Sequence, residues 1–344
     1  MTEVATLPEP LTAVAPPRGR SGASAWAVWL VRRLGLSILT LWLVSVLVFV
    51  ATAALGDPIR AILGRDYNAN PARVAALTEQ LDLDRPLVAR YLSWLGGLLT
   101  GDPGVSIAGQ RPVGELISDT VVNSLVLVLL AAVVMIPVAF GVAMISANFR
   151  RRRGDTIIQT VLLALAGLPD FVIGILLVAI FSTSVFHLFP AVTISSQGTS
   201  PWDKPETMVL PVATLVLAVA PYVARIVRST LLEVLDSDYV ELARLKGIPE
   251  TVVMRKHALL NAVVPGIQVI ALQLAWLAGG VVLVEFLFSY PGVGAQLVGA
   301  VRNHDVPMVQ ALSMIIAGVY VVVNLVADLL SILLTPRART AISS

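Results

Sequence analysis

The chain has 344 residues, of which 57% are hydrophobic and 13% charged, with a net charge of +2 and a mean hydropathy of +0.85. A soluble domain carries about 25% charge, so composition argues against a water-soluble fold and for a bilayer as the solvent of the apolar excess. The absence of cysteine removes disulfide frameworks and thiolate chemistry, and His187, His257 and His304 lie too far apart to read as a local metal cluster.

Residues 1–25 are rich in Pro, Ala, Thr and Ser and lack a helical period, which predicts a disordered tail. A cleaved signal peptide is not expected, because the first apolar run starts late, is long and follows Pro-rich sequence. A spanning helix needs about 20 mostly apolar residues. Stretches almost free of Asp, Glu, Lys and Arg run over Leu34–Gly56, Thr120–Phe149, Thr156–His187 (interrupted by Asp170), Thr207–Ala224, Ala258–Val284 and Val306–Ala327. This predicts an all-α polytopic protein with six transmembrane helices. The expected organisation is a first helix over 26–56, an insert over 57–119, a five-helix core over 120–336 and a tail over 337–344. Within the insert, Val74–Leu81 and Pro86–Leu99 have helical patterns, broken at Arg85-Pro86 and Gly101-Asp102-Pro103-Gly104. Prolines inside the spans are tolerated where neighbours satisfy the freed carbonyls.

Orientation follows from the basic residues near the span ends. Arg18, Arg20, Arg32, Arg33, Arg150 to Arg153, Arg225, Arg228, Arg244, Lys246, Arg255, Lys256, Arg337 and Arg339 fall on one side of a six-span arrangement, 16 of 24 in all. Both termini are therefore expected in the cytoplasm and residues 57–119 outside.

The cytoplasmic connection between spans four and five is organised. Asp238–Leu245 reads as an amphipathic helix, with Tyr239, Leu242, Ala243 and Leu245 on one side and a Glu241–Arg244 pair at i,i+3. Gly247 suits the left-handed residue that ends a helix, Pro249 the start of the next, and Glu250 its positive N-terminus. On composition alone this could be a surface hairpin lying on lipid. A DNA-binding helix-turn-helix is a poor reading for a segment tied to two spans, and no nucleic acid partner is expected.

Glu241-Leu242-Ala243 followed after three residues by Gly247 resembles the EAA signature of inner-membrane permease subunits of ABC importers. "DYVELARLKGIPETVVMRKHALLNAVVP" is similar to the oligopeptide, dipeptide and nickel permease branch. Phe288–Gln310, Gly101–Ser106, Arg111–Ile117 and the C-terminal "VADLLSILLTPRAR" resemble further stretches of that branch. The long insert points to the B-type half of the heterodimer. Departures are Leu242 in the triplet and Leu260 where the general consensus has proline.

The resemblance implies a type I ABC importer permease fold in a bacterial inner membrane. It also implies a second permease subunit, two ATP-binding subunits, an extracytoplasmic solute-binding protein and a peptide cargo, with nickel chelates or other small solutes as alternatives. Tyr239, Glu241, Leu242, Ala243, Lys246 and Gly247 would couple to the ATPases. No catalytic or metal site and no cofactor of its own is expected. ATP and Mg would be held by partners, since the chain lacks G-x-x-x-x-G-K-[ST], and Gly292-Val293-Gly294 suits a turn instead.

Two other classes fit less well. A stand-alone secondary transporter would show paired intramembrane charges and internal repeats, and no repeat is visible. A rhomboid- or site-2-like membrane protease would need a Ser/His or Glu/His pair at bilayer depth, for which His187 at a span end is the single candidate.

Three acids lie in or beside spans: Asp170, Glu285 and Asp328. A carboxylate at mid-bilayer costs at least about 2.5–3.5 kcal/mol, so each should face protein or water rather than lipid. Asp170 and Glu285 are expected to line the translocation path, and Asp328 to pair with an arginine.

Overall fold

The computed structural model describes residues 22–54, 59, 71–80, 83–193, 200–254 and 259–334. The tails at 1–21 and 335–344, and the Arg255–Lys256–His257–Ala258 stretch of the family-like motif, lie outside them. Among the described residues four helices are long and apolar enough to cross a membrane, and up to six spans result if each of two bent pairs counts as one.

The first helix, α1 (Gly22–Ala54), starts four residues before the expected boundary of the tail. The insert forms α2 (Pro71–Gln80) and α3 (Leu87–Thr100), which ends on Gly101 in the left-handed region at φ 86°. A small loop then closes on itself, with the Ser106 amide donating to the Arg111 carbonyl at 2.9 Å and Val113 to Gly104 at 2.9 Å. Helix α4 (Val113–Asn148) begins inside the stretch expected to belong to the insert. Its 36 residues span about 54 Å at 1.5 Å per residue, well beyond a hydrocarbon core of about 30 Å.

Helices α5 (Arg153–Ala166) and α6 (Asp170–Val178, continued by a π-helical turn Ala179–Ser184) replace the single continuous span expected over Thr156–His187. They meet at 106°. Pro169 sits at the break in extended conformation (φ −61°, ψ 145°). It lacks an N–H and pushes its predecessor out of the helical region, so the chain turns there.

Helix α7 (Val209–Leu235) is followed by α8 (Asp238–Leu245) and by a single helical turn, Glu250–Val252. Beyond it come α9 (Leu259–Leu287), bent by 53° between Leu277 and Gly279, then α10 (Val293–Arg302) and α11 (Val306–Leu334).

Charged contacts at the helix ends settle the relative directions. Arg150, just past α4, donates to Asp236, just past α7, at 2.6 Å. These two ends therefore share a face, α4 and α7 run parallel, and residues 149–204 must cross back between them. Helix α1 runs antiparallel to α11. Gln310 Nε2 donates to Thr52 Oγ1 at 2.8 Å at one end, and Arg33 pairs with Asp328 at the other. That ion pair gives Asp328 the arginine expected for it.

The core lies between α4, α7 and α9. Leu127, Met135, Leu215, Leu231 and Leu277 are fully buried there. Ala131, Ala139, Ala143 and Ala147 recur every four or eight residues along the buried side of α4. Without a hydrophobic driving force between helices in lipid, such small residues let backbones approach closely enough for dispersion to hold them. The face of α1 carrying Leu39, Leu43, Leu47 and Val50 remains open.

Candidate functional site

The segment with the densest sequence signal folds as a capped hairpin at the shared end of α4 and α7. Gly247 has φ 78°, its amide donates to the Arg244 carbonyl at 2.9 Å, and the Ile248 amide donates to Ala243 at 3.2 Å. This pair of bonds, closing over a left-handed glycine, is the Schellman stop of α8. Pro249 lies just before the next turn rather than within it, in extended conformation.

Tertiary anchoring decides which side of α8 is free. Val240 and Ala243 are buried, whereas Tyr239, Leu242 and Leu245 are exposed by 45%, 52% and 79%. Ala243 thus turns inward instead of sharing a side with the other three. Asp238, Glu241 and Lys246 are exposed around the apolar stripe. The expected Glu241–Arg244 pair gives way to a longer bridge. The Arg244 guanidinium donates to both Glu250 oxygens at 3.0 and 2.7 Å, and to the Leu235 carbonyl at 3.1 Å. The glycine turn brings Glu250 back over α8, and a forked bidentate bond outcompetes an i,i+3 contact. Hydrogen bonding from Arg244 holds the Glu250 carboxyl below its usual range, and Arg150 does the same for Asp236.

A second cluster, with no counterpart among the sequence expectations, ties α4, α5 and α7 together near the same end. Asp155 in the first turn of α5 accepts from Ser146 Oγ of α4 at 2.6 Å and from Arg228 Nε of α7 at 3.0 Å, and a second Arg228 nitrogen completes the fork. Gln159 donates to Ser146 at 2.9 Å. The pair is largely buried, with side-chain exposures of 19% and 12%. Its only signal in sequence was an isolated acid directly after four arginines.

At the opposite end, Glu285 is fully buried. Its carboxylate accepts from Ser124 Oγ at 2.5 Å and from the Gly294 amide at 2.6 Å, with the Ala295 amide also turned to it. It therefore caps the N-terminus of α10, where a negative charge meets free amides and the positive helix end. Gly292 and Gly294 are required by this packing, because a Cβ at Gly292 would lie 2.2 Å from Glu285 Oε1. The Tyr290 hydroxyl donates to Asn123 O at 2.9 Å, and Asn123 Nδ2 donates to Pro291 O at 2.8 Å, so the turn is pinned to α4.

Asp170 lies at the α5–α6 break, half-exposed, with its carboxylate near Gly280 beside the bend in α9. Gly280 is seven residues before the end of α9, about 10 Å along its axis. That places Asp170 nearer the Glu285 end than the middle of the span. No basic side chain pairs with it among the described residues. Nor do three His, Asp or Glu side chains group as metal ligands among the described residues.

Residues 139–340 match the family described as "Binding-protein-dependent transport system inner membrane component", and residues 27–112 match its N-terminal companion. The glutathione transport system permease protein GsiC of Escherichia coli K12 is 35% identical over 309 residues, covering 90% of this chain and 97% of that protein. GsiC of Salmonella choleraesuis is 37% identical over 311 residues with the same coverage. The chain belongs to the family of inner membrane components of binding-protein-dependent transport systems. It is a multi-pass permease subunit of an ABC importer in a bacterial inner membrane, and its family works with other permease, ATP-binding and solute-binding components.

Proposed function

We propose that this chain is the B-type half of a permease heterodimer that imports short peptides or peptide-like solutes, with the exposed side of α8 as the seat of an ATP-binding subunit. The observation that carries this reading is the exposed apolar pair Leu242 and Leu245, with Tyr239 beside them, on a helix stopped by Gly247 and bridged by Arg244 to Glu250 and α7. It lies beyond the ends of the bundle, flanked by charges of both signs, and a large aqueous apolar patch of this kind marks a protein contact. Tyr239, Glu241, Leu242 and Lys246 would touch the partner, and Ala243 and Gly247 would set the helix they stand on. Two ATP-binding subunits would bind the nucleotide and Mg, and this chain would carry no cofactor. The basic asymmetry supports cytoplasmic termini.

Glutathione, the cargo in the names of the relatives, is a peptide, which supports the same solute class here. Asp170 is our candidate for meeting the amino end of such a solute, because it is a membrane-embedded acid without a paired base among the described residues. The test is Leu242→Asp in the co-expressed importer. Membrane insertion should be unchanged, while co-purified ATPase and solute uptake both fall by at least tenfold. Wild-type recovery of ATPase would refute the docking face. Stimulation of the reconstituted ATPase by binding protein loaded with glutathione or with other short peptides would identify the cargo.

A further inference from the structure

The extracytoplasmic insert carries a helix whose outer surface does not suit water. Helix α3 has the sequence LVARYLSWLGGLLT, with one charge in 14 residues and no residue buried by the rest of the chain. Its positions divide into three arcs. Tyr91 and Trp94 turn to α1, where Phe49 meets their rings at centroid distances of 5.4 and 5.8 Å and Ser45 Oγ lies 2.8 Å from the Tyr91 hydroxyl. Ala89, Ser93, Gly96 and Thr100 form an arc of small residues on another side, whose polar groups are the Ser93 and Thr100 hydroxyls. Between them run Val88, Leu92, Leu95 and Leu99, at i, i+4, i+7 and i+11, the spacing of one helical face. Val88, Leu92 and Leu99 on that face are exposed by 71%, 60% and 80%.

We propose that this face is a lipid-binding surface, and that α3 lies in the plane of the outer leaflet as a membrane-seated flange on α1. Depth is the first argument. Ser45 stands nine residues before Ala54, the last described residue of α1, which is about 14 Å along the helix axis. A helix packed at that level does not stand clear of the bilayer. Continuity is the second. The α1 positions Ile38 and Trp42, which share a helix face with Ser45 and Phe49 at i, i+4, i+7 and i+11, are themselves exposed apolar residues of a spanning helix, at 68% and 50%. Composition is the third. Fourteen residues are too few to span, and an amphipathic helix carrying an aromatic pair is the form that settles at the lipid–water boundary. Hydrocarbon chains are the occupant that all three arguments share. The polar arc then faces headgroups and water, and Gly101 turns the chain back to the closed loop that meets α11. Asp305, directly before α11, accepts from Ser106 Oγ of that loop at 2.5 Å and from the Ile107 amide at 3.1 Å.

The chain has no cysteine, so single introduced ones report cleanly. The probe is a bimane label at Leu92→Cys, and separately at Ser93→Cys, in the whole importer in nanodiscs. Leu47→Cys and Gln110→Cys serve as lipid-facing and aqueous references. Quenching by brominated lipid should match the Leu47 reference at position 92 and be several-fold weaker at position 93, with iodide giving the reverse order. Iodide quenching at position 92 equal to that at position 110 would show an aqueous face and overturn the proposal. Protection at position 92 from both quenchers would show a protein partner on the face, and would overturn it equally.

Discussion

Arg228→Ala tests whether the Asp155 cluster holds together the end of the bundle where α4 and α7 finish. The substitution removes both guanidinium bonds to Asp155 and leaves Ser146 Oγ, at 2.6 Å, as its remaining side-chain donor. Removing one partner of a buried pair costs about 3–5 kcal/mol. An independent bound comes from protonation. An abandoned carboxylate can take up a proton instead, which for an ordinary Asp at pH 7 costs about 4 kcal/mol at 1.36 kcal/mol per pH unit. With 12–19% of the side chains still exposed, water relieves part of either figure. We expect about 2–4 kcal/mol. Removing both charges by Asp155→Leu with Arg228→Met should recover most of that loss, since no orphan ion remains. Arg228→Lys should fall between, because it keeps the charge without the planar fork. The assay is thermal aggregation of the detergent-purified importer, read as a double-mutant cycle. The refuting result is an Arg228→Ala variant within about 0.5 kcal/mol of the parent, the range of a surface change, or a cycle with no coupling term.

Gly247→Val should cost about 1–2 kcal/mol from backbone strain at φ 78°, with no clash, since nothing lies within 4 Å of the added Cβ. Gly247→Asn should therefore restore ATPase co-purification where Val loses it, and equal loss in both would point to crowding. Gly292→Ala should destabilise by at least about 1–3 kcal/mol through overpacking against Glu285, measured as a lower aggregation temperature. Glu285→Gln, which keeps one oxygen for the Gly294 N–H but loses the charge and turns an NH2 to Ser124, should cost about 1–3 kcal/mol, read the same way. An impermeant thiol reagent on intact spheroplasts should label Trp202→Cys and spare Glu241→Cys, and the opposite pattern would invert the orientation. Asp170→Leu should leave the purified complex at least as stable as the parent while abolishing uptake, and intact uptake would remove Asp170 from the path.

The reading from sequence succeeded where backbone chemistry is local and failed where a partner is chosen across the fold. Gly247 was legible because a positive φ is costly for any residue with a Cβ. The exposed Tyr239, Leu242 and Leu245 were legible as an apolar set at helical spacing. Ala243 was placed with them wrongly, because the burial of Val240 beneath α8, rather than the wheel alone, orients the helix. Asp155 and Arg228 are 73 residues apart, and no spacing rule connects them. A proline inside the third span is legible in the sequence, but the 106° of the break depends on how α6 packs against α7 and α9.

The three membrane acids show the same division. The cost of a carboxylate in hydrocarbon predicts that each must be satisfied, and it says nothing about by what. Glu285 is satisfied by Ser124 and by the amides of the turn after it, and Asp328 by Arg33, so both serve the fold. Asp170 differs. It stands half-exposed at a helix break, opposite the glycines at the bend of α9, and no base pairs with it among the described residues. A charge kept in such a place is a net cost to the folded chain. In the proposed function a positive group meets Asp170 during the transport cycle and offsets that cost, so stability and uptake should move in opposite directions when it is replaced by leucine.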